Sequence, residues 1–100
     1  MTVTVFVELD IKPGKFAEAG EIFAKALQAT REWEGCTSVE AFGSEADSKY
    51  IFVEEFETAE KWHEYFAWRG KESGHILESI LAGPLKTTFT AAKNYGYGRT

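Results

Sequence analysis

The chain has 100 residues, a length that suits one domain built around a single core. Hydrophobic residues make up 44% and charged residues 27%, a balance typical of folded proteins that excludes extensive disorder. Lysine and arginine number 11 against 16 aspartates and glutamates. The net charge of -5 therefore excludes the basic surface that nucleic acid binding requires.

The sequence contains no segment approaching the roughly 20 apolar residues of a membrane-spanning helix, so no membrane partner is expected. The first residues also lack the basic and apolar regions of a secretory signal. Cys36 is the only cysteine, which excludes an internal disulfide and a thiolate metal cluster within one chain. We expect a cytoplasmic protein without a metal site, in which Cys36 is a small apolar residue at the start of a strand.

Polar and apolar residues alternate over residues 2–10 and predict the first strand. Lys12, Pro13 and Gly14 end it. Apolar residues then recur at helical spacing from Phe16 and predict an amphipathic helix to about Arg31.

Residues 36–43 and 50–57 have the composition of two further strands, separated by turn-forming residues as in a hairpin. Thr58 is a suitable N-cap for a second helix, which we expect to end near Gly70. A short third helix over 75–82 and a last strand over 85–92 complete the prediction, with an extended tail from about residue 94. The order βαββαβ is that of the ferredoxin-like α+β fold, in one domain over residues 1–100.

The third predicted strand presents apolar side chains on both faces, because Tyr50 and Phe52 alternate with Ile51 and Val53. One layer of helices covers only one face of a sheet. The other face would expose Phe6 with Ile51 and Val53 as an apolar patch, which monomers seldom tolerate. We therefore predict a homodimer in which a second copy covers that face.

An arginine lies within the apolar stripe of the second predicted helix, on the same face as Trp62, Tyr65 and Phe66. Arg69 either pairs with a carboxylate or with carbonyls at the helix end, or lies at a pocket between sheet and helices. In a pocket its cation would hold a phenolate, an enolate or a carboxylate, with Tyr65 as a further donor. The aromatic residues expected to bind a flat ring there are Trp62, Phe66, Trp68 and Phe23.

The two histidines are expected to differ. His63 falls near the solvent side of the second helix. His75 follows Gly74 at the predicted start of the short helix, where a glycine-hinged loop would bring its imidazole over the same pocket as a base or metal ligand. The alternative is that His75 is an ordinary residue at a helix start.

Other catalytic signatures are absent from the sequence, including phosphate-binding glycine loops, paired CxxC motifs, HExxH and a nucleophile elbow. Glu54 and Glu55 are adjacent on a predicted strand, so their side chains face opposite ways and cannot form a close carboxylate pair. Nothing predicts hydrolytic or nucleotide-dependent chemistry.

Four short segments, in order over nearly the whole chain, resemble the antibiotic biosynthesis monooxygenase (ABM) family. They are IKPGK at 11–15, WEGC at 33–36, FVEEF at 52–56 and LAGP at 81–84. Members of this family form dimeric α+β barrels, which the resemblance implies here. The family includes cofactor-free oxygenases of quinols and polyketide phenols as well as haem-degrading enzymes.

The resemblance implies a cofactor-independent monooxygenase acting on a small aromatic or quinol-type molecule. Ground-state dioxygen accepts single electrons from an electron-rich anion, so a base and an anion holder would suffice. His75, Arg69 and Tyr65 are the candidates for these catalytic roles. Many members carry a histidine where this chain has Tyr65.

Two alternatives stay open at this point. The resemblance to the haem-degrading members places their haem-ligating histidine at His75. Their helix tryptophan corresponds to Tyr65 here, and their first-strand asparagine corresponds to Val7. A haem-binding protein using His75 is therefore one alternative. The other is a non-catalytic dimeric barrel that binds a small ligand or a partner protein.

Overall fold

A computed structural model of the chain describes residues 2–93. Its elements are β1 (Val3–Asp10), α1 (Phe16–Glu32), β2 (Cys36–Ser44), β3 (Lys49–Phe56), α2 (Ala59–Ile80) and β4 (Lys86–Thr90). This βαββαβ order confirms the predicted ferredoxin-like α+β fold. The predicted tail from about residue 94 lies outside the described residues.

The four strands form one antiparallel sheet in the order β2-β3-β1-β4. The two central strands, β1 and β3, pair from Val3 opposite Phe56 to Asp10 opposite Lys49. Because side chains alternate along each strand, this register places one set of apolar residues on a single face. That inner face is the one against which both helices pack.

The core lies between the inner face of the sheet and the helices. Its buried hydrophobic residues are Val5, Val7, Leu9, Ile11, Ala19, Phe23, Leu27, Val39, Phe52, Phe56, Trp62, Tyr65 and Ile80. The alternation of β1 and the helical spacing of α1 both point their apolar residues into this layer, as predicted. Neither helix among residues 2–93 has the length and apolar character needed to cross a membrane.

The second helix differs from its prediction. α2 runs without a break from Ala59 to Ile80, so the predicted end near Gly70 and the separate helix over 75–82 are wrong. Tyr65 and Ile80, on either side of Gly70 and Gly74, are both buried. Packing of one face along the whole length outweighs the cost of about 1 kcal/mol that each glycine brings to a helix interior.

The start of α2 agrees with the prediction. Thr58 has an extended backbone, and its side-chain oxygen accepts a hydrogen bond from the backbone N–H of Lys61 at 3.1 Å. This bond satisfies one of the N–H groups that the first turn leaves unpaired. The Thr58 cap therefore sets the residue at which α2 begins after β3.

The last strand, β4, spans Lys86–Thr90 and is shorter than the predicted 85–92.

The outer face of the sheet carries the predicted apolar side chains of Phe6, Ile51 and Val53, and in addition that of Phe42. Phe6 stands opposite Val53 in the β1–β3 ladder, and Phe42 stands opposite Ile51 in the β2–β3 ladder. Phe6 is 36% exposed and Phe42 is 54% exposed. Two neighbouring apolar pairs therefore face away from the helices.

Replacement of Gly70 by alanine should raise the free energy of unfolding by about 0.5–1 kcal/mol, because alanine favours the helix and restricts the unfolded chain. Gly14→Ala is the matched control, since an added Cβ meets no atom within 4 Å at either glycine. Gly14 has a φ of 80°, where a side chain is strained, so its replacement should destabilise by about 1 kcal/mol. Urea denaturation measures both, and destabilisation by Gly70→Ala would contradict a continuous α2.

Candidate functional site

A cavity of about 490 Å³ lies between the inner face of the sheet and the two helices. Side chains of β1 and β3 form its floor, and α1 and α2 form its sides. The exposed residues of its lining are Lys25 on α1 with Glu72 and Ile76 on α2. The cavity therefore opens to solvent between the two helices.

The four aromatic residues expected to bind a flat ring, Trp62, Phe66, Trp68 and Phe23, all line this cavity. Trp62 and Phe66 stack with ring centroids 4.7 Å apart and an interplanar angle of 12°. Phe23 packs edge-on against Phe52 at 4.9 Å. Aromatic contacts of this kind hold the rings in place, which gives the cavity flat, apolar sides.

Arg69 lines the cavity and is buried, with 8% of its surface exposed. Nη2 donates to the backbone oxygen of Ala26 at 2.8 Å and to Thr30 Oγ1 at 2.9 Å, both on α1. Nε donates to Tyr65 Oη at 3.2 Å, and Nη1 donates to Ser73 Oγ at 3.4 Å. A guanidinium has five N–H donors, so one N–H on Nη1 is left without a partner among the described residues.

The positive charge of Arg69 has no ion-pair partner in the part of the chain that the structure describes, where no carboxylate oxygen lies within 4 Å of it. Its guanidinium carbon instead lies 4.8 Å from the ring centroid of Trp68 and 5.4 Å from that of Tyr65. These cation–π contacts and the bond to Ala26 hold the side chain inward. Arg69 thus lines the pocket, whereas the carbonyl that it contacts lies within α1 and not at the end of a helix, as the alternative prediction had it.

Tyr65 is buried beside Arg69. Its hydroxyl lies 2.7 Å from Thr30 Oγ1, and either oxygen can be the donor. Burial, with the charge of Glu54 as a second cause, raises the pKa of the Tyr65 phenol above its ordinary value. Tyr65 is therefore protonated at neutral pH and orients Arg69 and Thr30 rather than acting as a base.

Glu54 is a cavity residue that the sequence analysis missed. It is 3% exposed, and Trp62 Nε1 donates a hydrogen bond to its Oε1 at 2.8 Å. Oε2 accepts no hydrogen bond from residues 2–93, and no buried side-chain polar atom there lacks a partner. Since Glu54 lines the cavity, the accepting capacity of Oε2 that residues 2–93 leave unused is available there to a ligand.

A sequence signal for Glu54 was present. Phe52, Glu54 and Phe56 alternate along β3 and share the inner face. A glutamate between two buried phenylalanines is unusual, because burying a carboxylate is costly without partners. The opposite orientation of Glu54 and Glu55 excludes a carboxylate pair, but it leaves Glu54 on the face that the helices cover.

Burial raises the pKa of the Glu54 carboxyl above its ordinary value, while the Trp62 hydrogen bond and the Arg69 charge lower it less. A glutamate with a raised pKa is a stronger base than an exposed one. It is also closer to the value at which proton transfer near neutral pH is most effective.

Neither histidine faces the cavity within the described residues. His75 lies in the interior of α2 with its side chain exposed, and it is absent from the cavity lining. The predicted glycine hinge before it is continuous helix, so its placement over the pocket is wrong. His63 is exposed, as predicted, and its ring lies 5.2 Å from that of Phe89.

The lining residues do not fit haem. Haem iron is held by histidine, cysteine, methionine or tyrosine, and within residues 2–93 the cavity lining offers Tyr65 alone from this set. The Tyr65 hydroxyl is bonded to Thr30 and Arg69, and its raised pKa disfavours the tyrosinate that would bind iron. No cluster of three or more histidine, cysteine, aspartate or glutamate residues suited to a metal ion occurs in the described chain either.

Cys36 has the properties expected of a plain apolar residue. Burial, followed by the charge of Glu54, raises the pKa of its thiol. The thiol is therefore protonated at neutral pH, whereas nucleophilic cysteines have lowered values.

Comparison with protein families matches residues 2–72 to the model described as antibiotic biosynthesis monooxygenase. Among solved structures, the chain is similar to Rv0793 from Mycobacterium tuberculosis, with a TM-score of 0.78, 17% identity, and 97% of this chain and 100% of that chain covered. It is also similar to a conserved protein from Methanosarcina mazei Go1, with a TM-score of 0.80, 18% identity and coverage of 93% and 94%.

A third similar structure, described as an antibiotic biosynthesis monooxygenase, has a TM-score of 0.79, 15% identity and coverage of 91% and 98%. At these identities the structural likeness concerns the fold alone. The search of curated proteins finds no match.

Glu54→Gln should change how stability depends on pH. Between the ordinary value of 4.5 and the raised pKa, the folded protein binds more protons than the unfolded chain, so the wild-type free energy of unfolding falls as pH rises through that interval. Glutamine does not titrate, so the stability of the variant relative to wild type should increase with pH. Urea denaturation from about pH 4 to about pH 8 measures this, with Glu55→Gln on the outer face as control. If the free energy of unfolding depended on pH in the same way in Glu54→Gln and in the wild type, this prediction would be contradicted.

Proposed function

The chain belongs to the antibiotic biosynthesis monooxygenase family, and from that premise we propose that it is a cofactor-independent monooxygenase of a small aromatic or quinol-type compound. The observation that carries this proposal is the cavity of about 490 Å³ in which Arg69 is buried between aromatic rings without a carboxylate partner within the described chain. A cation held in this way favours a ligand that is, or becomes, an anion.

The chemistry needs little from the protein. An ionised hydroxyaromatic compound is electron-rich enough to reduce dioxygen in single-electron steps. The substrate supplies all four electrons, so one oxygen atom enters the product as a new C=O or C–O group and the other leaves as water. The Arg69 cation stabilises the negative charge of the ionised ligand, and the apolar lining leaves space for dioxygen while limiting water.

The test is dioxygen uptake by metal-free and flavin-free protein with a panel of hydroquinones, naphthols and anthrones. We expect uptake with one labelled oxygen atom in the product when heavy-isotope dioxygen is used. Ala29→Trp should lower kcat/KM by about tenfold or more, because Ala29 lines the cavity and a larger side chain there excludes the ligand. Ala24→Trp, exposed on the same helix and outside the lining, is the control.

Absence of uptake with every compound, together with tight binding of the same compounds, would contradict the oxygenase proposal. That result would favour a barrel that binds a small ligand without turnover.

We also propose that two copies associate through the outer faces of their sheets. The apolar pairs Phe6–Val53 and Phe42–Ile51 lie side by side on that face, which the helices leave uncovered. A second copy would bury these pairs against the same residues of its own sheet. A stable interface of this kind typically buries about 1,600 Å² in total.

Sedimentation of the wild-type protein at micromolar concentration should give twice the chain mass. Phe6→Glu should give a monomer, since it places a charge within the interface. Ile76→Glu on α2 is the matched control, because Ile76 is 37% exposed and Phe6 is 36% exposed. A wild-type monomer, or dissociation by both variants alike, would contradict the sheet-face dimer.

A further inference from the structure

Two polar groups in the cavity have hydrogen-bonding capacity that no described residue uses. One is Oε2 of Glu54, a cavity-lining residue whose other carboxylate oxygen accepts a hydrogen bond from Trp62 at 2.8 Å. The second is the remaining N–H of Arg69 Nη1. The Nη2 group of the same guanidinium donates to Ala26 and Thr30, and Nε donates to Tyr65. One group is an acceptor and the other a donor, and both are held in place by bonds to the protein.

The two groups lie at different levels along α2. Trp62, which holds Glu54, and Arg69 are seven positions apart on one face of the helix, and this spacing corresponds to about 10 Å of helix rise. Tyr65 and Phe66 occupy the positions between them and line the cavity. A ligand that matches this spacing would contact Glu54 and Arg69 through two different atoms, joined by a flat apolar body.

We propose that Glu54 is the catalytic base of this cavity and that its ligand enters as a neutral aromatic diol, with one hydroxyl donating to Glu54 Oε2 and the oxygen at the other end accepting from Arg69 Nη1. This inference deepens the proposed oxygenase function and rests on it. It replaces His75 by Glu54 as the group that takes the substrate proton.

The proton step is balanced within the cavity. The O–H bond of the ligand hydroxyl breaks, its electron pair stays on the ligand oxygen, and the proton bonds to Oε2 of Glu54. The negative charge moves from the carboxylate to the ligand, so the sum with the Arg69 cation is zero before and after the step. The ligand becomes the electron-rich anion that dioxygen requires, and no additional charge is buried.

A ligand that carries a carboxylate would meet two obstacles. It would add a second anion beside ionised Glu54, where like charges in an apolar setting repel strongly. Arg69 also has one free N–H rather than the parallel pair that a carboxylate prefers. The cavity should therefore select neutral hydroxyaromatic compounds against aromatic acids of the same size.

The protonation of Glu54 should control this selection. The titratable or charged groups that face it or share its cavity are Arg69, Tyr65 and Glu72 on α2, Lys25 on α1 and Cys36 on β2. Burial raises the pKa of Glu54, so its carboxylate takes up a proton at a higher pH than that of an exposed glutamate. Loss of that charge should admit an aromatic acid.

The binding experiment uses three probes with the same ring system, namely 1,4-dihydroxynaphthalene, 1-naphthol and 1-naphthoate, under anaerobic conditions. At neutral pH we expect the wild type to bind the diol about tenfold more tightly than naphthol, because the diol makes one more hydrogen bond to a charged group. Naphthoate should bind most weakly. Its affinity should rise as pH falls through the raised pKa of Glu54, a measurement that needs no variant.

Glu54→Gln should keep diol binding within a few-fold, since the amide oxygen still accepts a hydrogen bond, and should strengthen naphthoate binding about tenfold or more by removing the like charge. Its dioxygen uptake should fall at least about a hundredfold at neutral pH, a loss within the range of a general base. Uptake should recover near pH ~10, where the diol ionises in solution. Glu55→Gln, on the opposite face of β3, should match wild type throughout.

The outcomes separate this inference from the function on which it rests. If the wild type takes up no dioxygen but prefers the diol over naphthoate, and Glu54→Gln reduces that preference about tenfold or more, oxygenase function fails and the assignment of the ligand contacts holds. Equal affinity of the wild type for naphthoate and diol at neutral pH would overturn the inference. Undiminished uptake by Glu54→Gln would also overturn it and leave Glu54 as a structural partner of Trp62.

Discussion

The buried guanidinium of Arg69 is the interaction on which the cavity depends. From α2 it donates to the backbone of Ala26 and the hydroxyl of Thr30, so it links the two helices directly across the cavity. Tyr65 adds a parallel link to Thr30 from one turn earlier. Because these bonds use polar groups that face each other between the helices, α1 and α2 are held together without filling the space above the sheet.

A second polar link joins α2 to the sheet. Trp62 donates to Glu54 and orients the carboxylate, while its ring stacks on Phe66 along the side of the cavity. Each of the two charged groups is therefore fixed by a neighbour and retains some unused capacity toward the cavity. A buried polar group with every partner satisfied stabilises a fold, whereas one with a free donor or acceptor is suited to a ligand.

Arg69 and Glu54 lie in the same cavity but do not form a direct ion pair. Arg69 has no adjacent carboxylate in the described chain, and Glu54 is bonded to a neutral indole rather than to a cation. This separation costs stability relative to a direct ion pair. In the proposed mechanism it also keeps both groups available, with Glu54 taking the ligand proton and the Arg69 cation stabilising the resulting anion.

Local patterns in the sequence determined the strands, the course of α1, the start of α2 at Thr58 and the inward position of Arg69. These features follow from alternation, helical spacing and capping, which act between residues a few positions apart. The family resemblance of the short segments was likewise readable from the chain alone. The aromatic lining also came from helical spacing, because Trp62, Phe66 and Phe23 lie on the faces that pack inward.

Only the tertiary structure decided the course of α2 beyond Gly70 and the members of the site. Gly70 favours a helix end locally, but packing of Ile80 against the core continues the helix and leaves His75 in solvent. Glu54 lines the cavity because both helices cover its face of the sheet, and its neighbours in sequence do not specify that cover. The length of α2, the exposure of His75 and the position of Glu54 all depend on burial and on contacts between residues far apart in the chain. Such contacts exist only once the helices pack on the sheet, so no short segment of the sequence specifies them.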